Sequence, residues 1–346
     1  MNLKNMIFGG GKSFDLQLVS KYRSALMGFA IIIIVFYHFF NCGGDTTIDK
    51  VLRNIFAHGY TGVDIFMVVS GLGLTFSMSK SENLKEYYLK RWVRIFPFFT
   101  FITLIECWII RGESFGLALL RSTTIGYWTG VPYIDWYVPA IVGLYVAYPL
   151  LYFYVVKPQK YKLALFASLA FFILSVILCF VPVVGWKHFA LLYRLPDFIM
   201  GSMMGIAIKS GYRPEYVKRL VVSSAIIGGI MIVALNGTEH RFWLVNLCFT
   251  PTYLYLLCHI FNWLAENKTK VLRYIPVVFA FFGVFTLEMY RVTSSFERLL
   301  TDETCPEYHS LYVLLYFVLS AILAYLCSVM FKYINDNLYR KLKKLI

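Results

Sequence analysis

Charge is what this sequence has least of. Only 15% of its 346 residues are Asp, Glu, Lys or Arg, 59% are hydrophobic, and the mean hydropathy is +0.65. A soluble domain of this size has no use for so much apolar surface, so the composition excludes one and points to a polytopic membrane protein. Long polar stretches are missing too. The widest gaps between apolar segments run to about 15–25 residues, too short for a separate soluble domain. The chain therefore reads as one membrane-embedded domain over 1–346, with 1–22 a lead-in and 332–346 a basic tail. No small-residue cleavage site follows a short apolar stretch near the start, so no signal peptide is expected.

Other absences narrow the chemistry. The seven cysteines (Cys42, Cys107, Cys179, Cys248, Cys258, Cys305 and Cys327) form no Cys-x-x-Cys pair, and no His or Cys spacing suggests a metal site. Most lie in apolar runs and read as small buried hydrophobes, with a Cys42–Cys305 disulfide outside the membrane as the minor alternative. Gly9-Gly-Gly-Lys-Ser13 fails as a phosphate loop because the required first glycine falls at Met6, and it reads as a flexible lead-in. No strong internal repeat is present.

What the chain does have is a succession of apolar runs. Ten reach the length of a membrane helix, at roughly 24–42, 58–78, 93–110, 136–156, 163–182, 189–208, 219–236, 242–264, 276–294 and 309–331. The basic residues then sort by side. With ten spans, 24 of the 33 lysines and arginines fall on the face that carries both termini and seven on the other, with Arg194 and Arg291 at or within spans. The positive-inside rule makes the richer face cytoplasmic, with both termini inside. The net charge of +14 is then a membrane-surface feature that needs no nucleic acid partner.

Ionisable residues inside spans are costly and mark candidate sites. His38 ends the run Ala25-Leu-Met-Gly-Phe-Ala-Ile-Ile-Ile-Ile-Val-Phe-Tyr-His38, roughly 20 Å from its inner end at 1.5 Å per residue. Asp64 lies two turns in from the outer end of the second span. Counted along straight helices, Glu106, Asp135, Arg194, Asp197, Glu288 and Arg291 collect at the same outer level. Asp135 and Glu106 read as interfacial side chains reaching for water. His38 with Asp64 reads as chemistry: neutral imidazole suits a general base, and a carboxylate would orient it. On the cytoplasmic side, Ser79-Lys-Ser-Glu82 fits a capping box. Arg91 and Arg94 follow on one helix face, where guanidinium forks suit phosphates, and Arg23 is placed to join them.

These residues resemble the acyltransferase 3 family of membrane acyltransferases. Four matches carry the resemblance: Tyr37-His38 closing an apolar run; Gly62-Val-Asp-Ile-Phe-Met-Val-Val-Ser-Gly71; Arg91, Arg94 and Pro97 as Arg-x-x-Arg-x-x-Pro; and Trp136-Tyr137 with Tyr145 and Pro149. Arg194-Leu-Pro-Asp-Phe-Ile-Met-Gly201 and Thr286-Leu-Glu-Met-Tyr290 are fainter echoes. The resemblance implies transfer of an acyl group, usually acetyl, from cytoplasmic acyl-CoA to a hydroxyl of a cell-surface or lipid-linked glycan. It implies a donor substrate with no tightly bound cofactor, a bacterial plasma membrane, His38 as the essential residue and the arginine pair on the donor side. Asp64 would orient His38, Trp136 would stack on a sugar ring, and Arg194, Asp197, Glu288 and Arg291 would meet its hydroxyls. Many members carry an added extracytoplasmic esterase-like domain; none is expected here, so the protein would act alone or with a partner.

The chain departs from the family pattern at Met27, where an arginine is usual and Arg23 lies one turn earlier. It departs again at Ile141 and Val142, where acidic residues are common, and at Thr293, where many members have histidine. The departures suggest a divergent acceptor. Two other classes suit ten spans with charges inside them: a flippase for a lipid-linked sugar, and a non-catalytic assembly factor in glycan export. Dependence on acyl-CoA separates them from an enzyme. Ser70 has a weaker reading as a nucleophile, against helix packing through Ser70-Gly71.

Overall fold

A computed structural model of the chain describes residues 15–41, 44–130, 135–180, 186–212, 217–235, 241–297 and 309–344. Cys42 and Cys305, the one disulfide candidate, and the Gly9–Ser13 run lie outside the described residues. The described residues are 87% helical, with no strand among them. The longer helices are α1 (Arg23–Asn41), α2 (Thr47–Phe56), α3 (Gly62–Met78), α4 (Leu84–Leu104), α5 (Tyr137–Leu151), α6 (Tyr161–Phe180), α7 (Leu195–Ser210), α8 (Val217–Ala234), α9 (Arg241–Ala265), α10 (Lys270–Phe282), α11 (Thr286–Glu297) and α12 (His309–Lys343).

Eight helical stretches among the described residues are long and apolar enough to cross a membrane. They correspond to eight of the ten expected spans. The seventh expected span holds a shorter apolar helix, Leu220–Ala234. The ninth is not straight: α10 and α11 meet at a 76° bend. Gly283 lies at that break, and a Cβ there would fall 1.9 Å from the Ser24 carbonyl oxygen. Only glycine permits so close a backbone approach. Taken together, α10 and α11 are still long and apolar enough to count as one span, broken at this bend.

The chain divides into two compact units. The first comprises Met1–Ala30, Thr61–Phe76 and Phe153–Val284. Within it, small residues bring the backbones of α3 and α7 together: a Cβ at Gly201 would meet the Val68 carbonyl oxygen at 1.9 Å, and one at Gly71 would meet that of Phe198 at 2.2 Å. This is the close packing membrane helices achieve without a hydrophobic drive between them. It is also the packing role expected of Ser70-Gly71.

The second unit comprises Ile31–Tyr60, Ser77–Tyr152 and Phe285–Ile346. Helix α4 is its spine. Asn83 caps α4, its Oδ1 accepting from the Glu86 amide at 3.2 Å, so the cap is four residues later than the expected Ser79 box. The extended Asn83 directly precedes the first helical residue, where its short amide reaches the free N–H groups of the first turn. Glu86 then ties α4 to α12, accepting from Tyr339 Oη at 2.7 Å and Lys343 Nζ at 3.1 Å. Further along, Phe98 and Phe101 pack on Phe331 of α12. Helix α4 continues into a π-helical turn, Ile105–Ile110. Such wide turns often accompany functional side chains, and this one carries Glu106.

Candidate active site

His38 lies in the last turn of α1. Its Nδ1 is 3.1 Å from Glu297 Oε1, at the far end of α11. The His38 and Glu297 side chains keep 44% and 33% of their surface open. Tyr37 stands edge-on to the imidazole, with ring centroids 5.2 Å apart. Glu297 is thus a carboxylate on His38, while Asp64, the expected partner, accepts from Arg194. Glu297 carries no sequence signal beyond being an acidic residue that closes a short polar segment beside Arg298.

The rest of α11 is equally engaged. Glu288, in its first turn, is fully buried and takes both terminal nitrogens of Arg94, Nη1 to Oε1 at 2.7 Å and Nη2 to Oε2 at 3.3 Å. Tyr290 donates from Oη to Asp135 Oδ1 at 2.6 Å. Arg291, also buried, donates from Nη2 to Glu106 Oε2 at 2.9 Å and lies over the Phe99 ring. Arg111 completes Glu106 at 2.8 Å. Thr293 folds its hydroxyl back onto the Met289 carbonyl at 2.7 Å, so the position where histidine is common is spent within the helix.

Several expected depths change as a result. Residue counting puts Arg94 at the cytoplasmic mouth and Glu288 near the outer end of its span, but a bidentate ion pair puts them at one level. The 76° bend before α11 is the physical reason: beyond it, sequence distance no longer measures depth. Glu288 and Arg291, expected to meet sugar hydroxyls, are turned inward onto protein partners. Glu106 and Asp135, read as interfacial, are buried instead. Asp135 caps α5, accepting from the Tyr137 and Val138 amides at 3.0 and 3.1 Å.

Two guanidiniums remain accessible on α4. Arg94 keeps 48% of its side chain exposed and has three N–H groups beyond those Glu288 uses. Arg91 lies over the Tyr87 ring at 4.2 Å and donates to the Tyr87 carbonyl at 3.3 Å. Trp136, half-buried at the N-cap of α5, stands edge-on to Tyr137 at 5.9 Å, and Tyr137 in turn meets Tyr290 at 5.4 Å.

The remaining expected residues belong to the first unit. Asp64 Oδ1 accepts from Arg194 Nε at 2.6 Å. Both are buried, and Asp64 Oδ2 has no hydrogen-bond partner among the described residues. Arg194 also donates to the Ala190 carbonyl at 3.0 Å and covers the Tyr193 ring. Asp197 is buried beside Thr250, whose hydroxyl donates to it at 3.4 Å. Arg194 and Asp197 thus do not present their charges to a sugar; a guanidinium and a carboxylate in an apolar interior pair with protein groups to offset desolvation. The Arg23 guanidinium lies against Gly73, where a Cβ would meet its Nη2 at 2.5 Å. Among the described residues, no three His, Cys, Asp or Glu side chains converge as a metal site.

Two comparisons bear on this arrangement. The family described as an acyltransferase domain matches residues 25–332. A relative from Acidianus two-tailed virus, named "Putative acetyltransferase ORF330", is 25% identical over 186 residues, which are 51% of this chain and 53% of the relative. The matched region thus spans about half the length of that relative. No solved structure matches. The family match takes in His38, Arg91, Arg94, α11 and nearly the whole helical framework, and the chain belongs to the acyltransferase 3 family of membrane acyltransferases.

Proposed function

We propose that this protein moves a short acyl group, acetyl first among candidates, from cytoplasmic acyl-CoA to a hydroxyl of a cell-surface or lipid-linked glycan in a bacterial plasma membrane. One observation carries the reading: His38, at the family's essential position, is partly open and has its Nδ1 on a carboxylate. With the ring proton held at Nδ1 by Glu297, the basic nitrogen of neutral imidazole is Nε2. In the proposed step, Nε2 takes the acceptor hydroxyl's proton as that oxygen bonds to the thioester carbonyl carbon. The carbon–sulfur bond then breaks, and the leaving CoA thiolate recovers the proton from the imidazolium. Arg91 and Arg94 hold the donor's phosphates, a task that suits guanidinium forks. Trp136 offers a face for a sugar ring.

The test is transfer of radiolabelled acetyl from acetyl-CoA into cell-envelope glycan, comparing membranes with wild-type protein and with His38→Ala. Label with wild type alone supports the proposal. Equal label from both removes His38 from the reaction. No label from either, with folded protein and acceptor present, turns attention first to other acyl-CoA donors and then to the flippase or assembly-factor readings.

A further inference from the structure

Helix α11 makes an ion pair or hydrogen bond from almost every polar side chain it carries, and two of its carboxylates meet the two groups that the proposed reaction needs. Glu288, near its start, holds Arg94 by both terminal nitrogens. Glu297, at its end, holds His38 Nδ1. Nine residues separate them, an axial rise of about 13 Å and two and a half turns. They therefore leave the helix on opposite sides. Arg291, three residues after Glu288, shares the Glu288 side and anchors it to Glu106 on the extension of α4.

We propose that α11 is a brace, with Glu288 the positioning residue for the donor arginine Arg94 and Glu297 the positioning residue for the base His38. The inference rests on the acyl-CoA reading above. Glu288 is fully buried while Arg94 is half exposed, so the carboxylate cannot swing away with its partner. It fixes the guanidinium plane and leaves three N–H groups for an anion. Glu297 fixes which imidazole nitrogen carries the proton. Because the helix is rigid, the anion-binding group and the base keep a set separation. The donor that fits has its anionic end and its reactive acyl carbon at opposite ends of a long arm, as in a phosphopantetheine thioester. A short acyl phosphate, with anion and acyl adjacent, does not fit.

Protein in lipid nanodiscs would be assayed for acetyl-CoA binding and, separately, for acetyl-CoA turnover at saturating donor. Glu288→Gln should weaken acetyl-CoA binding about tenfold and leave saturated turnover within about twofold. Glu297→Gln should leave binding within about twofold and lower turnover roughly 10- to 100-fold. Glu297→Asp, which keeps the charge, should retain more turnover than Glu297→Gln. If a glutamine variant fails to fold, Glu288→Asp and Glu297→Asp should show the same split in weaker form. Both variants losing binding and turnover together, or neither changing, would overturn the brace. So would tighter binding by Glu288→Gln, since Glu288 would then be competing with the donor's phosphates. Wild-type protein that neither binds nor turns over acetyl-CoA would instead refute the acyl-CoA reading, and the inference would fall with it.

Discussion

Each unit of the molecule holds a carboxylate against a cationic or ionisable partner, and the two are built differently. In the first unit, Asp64 and Arg194 are buried, 2.6 Å apart, with Asp197 and Thr250 beside them and helices α3 and α7 in backbone contact around them. In the second, Glu297 and His38 are 3.1 Å apart and both remain partly open. A closed ion pair cannot meet a substrate without unpacking its helices. An open pair can, and imidazole is the side chain whose ordinary titration suits proton transfer. An ionisable residue inside a membrane span is thus a reason to look for function, and access then decides whether it is chemistry or a clamp.

The sharpest way to break this contrast is to remove one member of each pair. Arg194→Ala strands Asp64 in an apolar interior and should cost about 3–5 kcal/mol, seen as a collapse of folded yield and of the thermal midpoint in detergent. Replacing both partners with apolar residues of similar volume, Asp64→Leu with Arg194→Met, should recover part of that loss, because neither member of the pair is left behind, while Asp197 stays buried beside Thr250. His38→Ala should do the reverse, lowering acetyl transfer about 100-fold or more with little change in the melt.

A smaller effect sharpens the packing side of the contrast. Gly201→Ala puts a Cβ 1.9 Å from the Val68 carbonyl oxygen, so α7 must move off α3. We expect a loss of about 1–3 kcal/mol in the same melt, with Gly229→Ala, in open space on α8, as an unaffected control. The smallest effect belongs to the end of α4: Asn83→Ala removes one cap bond and should cost about 1 kcal/mol without altering transfer.

Much of the framework was legible in the sequence because membrane helices must satisfy their backbone internally and face lipid, which leaves long apolar runs. Tyr161–Phe180 is such a run, and it forms one uninterrupted helix. The site was legible in its residue types but not in its pairings. Depth counted along straight helices fails at the bend before α11, so a residue count puts Arg94 and Glu288 at opposite ends of their spans. Asp64 and His38 share a level in that count, but a level does not give azimuth, and Asp64 pairs with the guanidinium of Arg194. Glu297 lies just past the expected end of the ninth span, so its charge gives no signal of a buried or paired group. The fold extends the expected helix to Glu297 and shows its polar groups engaged.

The most direct test of the central contrast is acetyl transfer by His38→Ala protein in nanodiscs, with the thermal midpoint taken on the same sample. Transfer at about 1% of wild type or below, with an unchanged midpoint, is the predicted result. Wild-type transfer from the well-folded variant would contradict it and would remove the open His38–Glu297 pair from the chemistry.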